Sequence, residues 1–103
     1  MTESKRKLYI IIKEKIEEIS LKLTSENDEW NGFREKLIIE ENYEAVILCD
    51  DMIKLNKKTS SRIKLLLEIP PFEVEIITVH FKIEMKEHTT KFDEIKEAFN
   101  NLS

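Results

Sequence analysis

Glu73-Val-Glu-Ile-Ile-Thr-Val-His-Phe-Lys-Ile-Glu-Met85 is the stretch whose reading decides the fold. In it Ile77, Val79, Phe81, Ile83 and Met85 alternate with Thr78, His80, Lys82 and Glu84. That two-residue period predicts a long strand with one face on a core and the other in water. Toward the N-terminus, Pro70-Pro71 marks a turn, and before it Ile63, Leu65, Leu67 and Ile69 alternate through a second strand. Asn56 to Ser61 is polar and reads as a connector, and the run Tyr43 to Cys49 reads as a buried strand. A turn at Glu41-Asn42 joins it to Phe33, Leu37 and Ile39, which alternate with Arg34, Lys36 and Glu40, and a hairpin results. Segment 26–40 also admits a helical reading with Trp30, Phe33 and Leu37 on one face, and so short a stretch leaves the choice open.

The two ends of the chain read as helices. From Ser4 to Leu23, Leu8, Ile12, Ile16, Ile19 and Leu23 recur at steps of three and four, and Lys13–Glu17 and Glu18–Lys22 are favourable i,i+4 pairs. The polar run Thr24 to Gly32 holds the only glycine and reads as the main loop. At the other end Thr90 with Asp93 resembles a capping box, and Phe92, Ile95, Phe99 and Leu102 form the stripe of a short final helix. The expected fold is therefore one α+β domain over residues 1–103: an N-terminal amphipathic helix, an antiparallel sheet of three to four strands, and a short C-terminal helix.

Composition bounds the function. A chain of 103 residues, 41% hydrophobic and 37% charged, has room for one core and no second catalytic domain. Its net charge of -4 is spread with mixed signs, unlike the basic domain of an electrostatic nucleic-acid binder. Apolar runs such as Ile10 to Ile12 and Ala45 to Cys49 fall far short of the roughly 20 residues of a membrane span. Lys13, Glu14 and Lys15 interrupt the apolar stretch that a signal peptide needs, so a cytoplasmic protein without membrane attachment is expected. The single Cys49 has no partner for an internal disulfide and no paired spacing for zinc. The lone glycine removes glycine-rich phosphate loops. Abundant Lys, Glu and Ile with no Gln lean toward a thermophile or an AT-rich genome or virus.

Three functional readings follow, in order. The first helix carries more apolar surface than one face of a small sheet covers, because Tyr9, Ile10, Ile11 and Leu21 widen its stripe. A non-catalytic interaction protein, a homodimer through those four residues, is the leading reading. Second is a nucleic-acid-binding module using Lys5, Arg6, Lys7, Lys57, Lys58 and Arg62, with the first three set unfavourably at a helix N-terminus. Third, Asp50 and Asp51 at one strand end and Glu84-Met85-Lys86 at another, with Glu17 or Glu18 on the preceding helix, resemble the order in metal-dependent nucleases of the restriction-endonuclease-like class. That resemblance implies Mg²⁺ between an Asp and the Glu, with the Lys near the attacked phosphate. Solvated charges at strand ends explain the same residues more simply, so no catalytic residue, metal ligand or cofactor is assigned. Cys49 lies in an apolar run before two carboxylates, which suits a buried thiol better than a nucleophile. His80 and His88 read as ordinary strand and loop histidines.

Overall fold

A computed structural model describes residues 1–102 as three antiparallel helices: α1 (Glu3–Ile39), α2 (Tyr43–Leu65) and α3 (Val74–Asn100). The expected sheet is not there. No described residue lies in a strand, so the fold is all-helical and the α+β assignment is corrected.

The decisive stretch 73–85 is the start of α3, and its alternation has a physical origin. Val74, Ile77 and Phe81 are buried at helical steps, with Met85 half-buried on the same stripe. A second apolar stripe, Ile76, Val79 and Ile83, lies on the outer face and is about half exposed. Two helical stripes interleaved in this way produce a two-residue period. No glycine or proline follows Pro71, so nothing stops the helix before Asn100. Thr90 is not a cap but an interior residue whose hydroxyl donates to the Lys86 carbonyl.

The polar connectors are also helix. Thr2 caps α1, its Oγ1 accepting from the Lys5 N–H at 3.2 Å. The helix then runs unbroken through 24–32, because Tyr9, Ile16, Leu23, Trp30 and Leu37 recur every seven residues and keep one face on the bundle. Gly32 sits in an exposed turn where an added Cβ meets nothing within 4 Å. In α2, Asn56, Thr59 and Ser60 are buried, so the polarity of 56–61 marks an interior face and not a loop. The second strand, Ile63 to Ile69, is instead the end of α2 and a 3-10 turn, Leu66–Glu68.

Two breaks coincide with those read from the sequence. At Glu41-Asn42 the Asn42 N–H donates to the Leu37 carbonyl and the Glu41 N–H to Ile38. This is a Schellman closure in which Glu41 takes φ 58 without being glycine. The Asn42 side chain then caps α2 through the Ala45 N–H. Ile69 before Pro70 is extended, as a pre-proline residue prefers, and Pro71 opens a second 3-10 turn. That connector crosses the first turns of α1, where Lys5 Nζ donates to the Phe72 carbonyl and pairs with Glu75.

The interior has three zones along a rod of 57 × 21 × 15 Å. One end is an apolar cluster of Ile12, Ile16, Ile63, Val74, Ile77 and Phe81. Each fully buried isoleucine there contributes about 1.5–3 kcal/mol. The other end joins Leu37, Ala45, Val46 and Cys49, with Trp30, Phe99 and Leu102 against them. Between the two lies a polar layer.

Candidate interaction groove

The polar layer crosses all three helices. Asn27 of α1 donates to the Ile53 carbonyl, and Asn56 of α2 donates to Asn27 Oδ1 at 3.0 Å. His88 of α3 lies 2.9 Å from Asn56 Oδ1, which fixes Nε2 as the protonated nitrogen. One turn away the Ser20 and Ser60 hydroxyls share a bond. No buried side-chain nitrogen or oxygen among the described residues lacks a partner, so the layer is fully satisfied. Burial lowers the His88 pKa, opposed by the nearby Glu26 carboxylate. The layer links all three helices, α2 to α1 through Asn56 and Asn27 and α3 to α2 through His88.

Direct packing between α1 and α3 is sparse, and both helices lean on α2. Where they approach, aromatic rings meet: Trp30 stacks on Phe99 at 5.9 Å, and Phe33 lies 6.2 Å from Trp30 and 6.3 Å from Phe99. The outer faces of these rings stay open. A groove results, lined near the tip by Glu26, Glu29, Trp30, Phe33 and Phe92 and continuing past Ile19, Lys22, Leu23, Met85 and Thr89. Lys96 flanks the aromatic end. Rings, a thioether and a few charges surround the groove's apolar floor. The signal for it was in the sequence as seven-residue spacing: Met85, Phe92 and Phe99 on α3, and Ile19, Glu26 and Phe33 on α1.

The residues singled out from the sequence are dispersed. Tyr9 packs against the first apolar cluster and is not a free contact residue. Ile10, Ile11 and Leu21 are exposed, with Ile10 and Leu21 on the outer face of α1. Of the basic set, Lys5 pairs with Glu75, Lys7 with Glu3, and Arg62 with Glu84 and Glu87. Arg6, Lys57 and Lys58 are exposed. Since Ser60 opposes Ser20, Arg62 sits about 17 Å along the rod from Lys7, and the six make no single patch.

The nuclease-like set does not converge either. Asp50 is held by Arg34 at 2.6 Å, while Glu84 lies beside Arg62, a dozen residues and about 18 Å away along α2. Asp51 and Lys86 point into solvent, and no group of three potential metal ligands is assembled among the described residues. Cys49 is fully buried, and desolvation, reinforced by Asp50 and opposed by Arg34, raises its pKa. His80 is exposed on α3, whereas His88 belongs to the polar layer. No described helix is long and apolar enough to cross a membrane. The chain matches no protein-family model, no curated protein and no solved structure.

Proposed function

We propose that this chain is a non-catalytic interaction protein that receives a protein partner in the groove between α1 and α3. The observation that carries this is the open aromatic floor, Trp30, Phe33, Phe92 and Phe99, at the one pair of helices that do not close on each other. Rings held by mutual stacking are already ordered, so a partner gains their apolar area without paying to immobilise them. Anchors of this kind carry most of the energy of an interface, about 2 kcal/mol or more each.

A photo-crosslinking residue at Lys96, on the groove edge, tests the reading against the same residue at Lys54 on the exposed side of α2. Adducts are expected from Lys96 in extracts of the native cell, and Phe33→Glu should abolish them. Equal yields from both positions, or adducts indifferent to Phe33→Glu, would place binding elsewhere.

A further inference from the structure

We infer that the occupant of the groove is a second copy of this chain, laid antiparallel across it. This rests on the groove being a binding surface and adds the identity and direction of what fills it.

The α1 edge of the groove carries an ordered pattern of charge. Lys22, Glu26 and Glu29 border it, and the residues in heptad register with Lys22 and Glu29 are Leu8, Lys15 and Lys36. Around residue 25 the edge is thus basic on the N-terminal side, at Lys15 and Lys22, and acidic on the C-terminal side, at Glu26 and Glu29, with Lys36 a further two turns on. Among the described residues, Lys22, Glu26 and Glu29 make no ion pair, whereas charges at other helix contacts do, as in Arg34–Asp50 and Arg62–Glu84. A parallel copy sets Lys22 against Lys22 and Glu29 against Glu29. An antiparallel copy, related by a two-fold axis crossing near residue 25, brings Lys22 of each beside Glu26 and Glu29 of the other, and the symmetry doubles every contact. The same placement lays the half-exposed Phe33 of one copy against the Ile19 region of the other.

Size agrees with a stable dimer. The axis falls about 6 Å from the middle of α1 by helical rise, so two rods 57 Å long overlap over about 45 Å. A face about 20 Å wide then buries roughly 900 Å² per copy, within the range of specific interfaces.

Sedimentation of charge-reversed chains tests this. The wild type should dimerise, more weakly at high salt. Lys22→Glu alone, and Glu26→Lys with Glu29→Lys in one chain, should each lose at least tenfold in self-affinity, and mixing the two reversed chains should restore dimers. Circular dichroism confirms that each variant is folded, and in the wild type a spin label at Ser25 should give a short interspin distance and one at Ser4 a long one. A wild-type monomer at millimolar concentration overturns the inference while leaving the groove reading to the Lys96 cross-links. Reversed chains that dimerise like the wild type, a mixture that gains nothing, or a short distance at Ser4 also overturn it.

Discussion

Replacing Asn56 by alanine removes the hub of the polar layer. Asn56 is 1% exposed, donates to Asn27 Oδ1 and accepts from His88 Nε2. The half-buried His88 can turn to water, but Asn27 is buried, and its Oδ1 is left unpaired. One uncompensated acceptor costs about 1–3 kcal/mol, and the truncated side chain adds a small cavity, so the total loss is about 2–4 kcal/mol. With a urea slope of about 2 kcal/mol/M for a chain of this size, the unfolding midpoint should fall by about 1–2 M. Adding Asn27→Ala removes the orphaned acceptor as well, so the double variant should be less destabilised than the sum of the single ones, by about 1 kcal/mol or more. Urea titrations of the four proteins complete the cycle. Strict additivity, or an Asn56→Ala midpoint within experimental error of the wild type, would refute the layer as a connected network.

Four further outcomes are expected. Burial holds the His88 pKa below its ordinary value near 6.5, so below that pH the unfolded chain binds the proton more readily than the folded one. Stability should therefore be full above about pH 6.5 and decline as the pH falls toward the folded-state pKa. Thermal melts across pH 7 to 5 should show a shallower decline in His88→Asn, and an equal slope in both proteins would contradict it. Gly32→Ala should stabilise by about 0.5–1 kcal/mol because the helix accepts a Cβ there without contact. Glu41→Gly should stabilise by about 1 kcal/mol because φ is 58. A fall in melting temperature for Gly32→Ala would argue that 24–32 is a loop after all. The buried Cys49 thiol, raised in pKa chiefly by desolvation, should resist alkylation at pH 8 until the chain is unfolded, and rapid native labelling would contradict its burial.

The limits of legibility have two physical sources. Alternation along Ile77 to Met85 implies a strand only if one apolar face is buried, and here two of the five apolar residues, Val79 and Ile83, belong to a helix face that this chain does not cover. Polarity implies a loop only if polar residues seek water, and here Ser20, Asn27, Asn56 and Ser60 are interior because the helices satisfy one another across the axis. The first helix was legible as far as Leu23 from its three-and-four spacing, and the turn at Glu41-Asn42 and the break at Pro70-Pro71 because turn residues and prolines act locally. The groove was not, because it needs residues as far apart as Trp30 and Phe99 to meet. Seven-residue spacing was the available clue, and reading α1 past Leu23 in that register would have found Trp30 and Leu37.

Trp30 is the only tryptophan and lies in the groove, so acrylamide quenching of its fluorescence measures most directly whether the groove is covered. Quenching should be weak in concentrated protein, strengthen on dilution, and stay strong at every concentration in Phe92→Glu. Quenching that is the same at all concentrations and unchanged by Phe92→Glu would contradict a groove filled by a second copy.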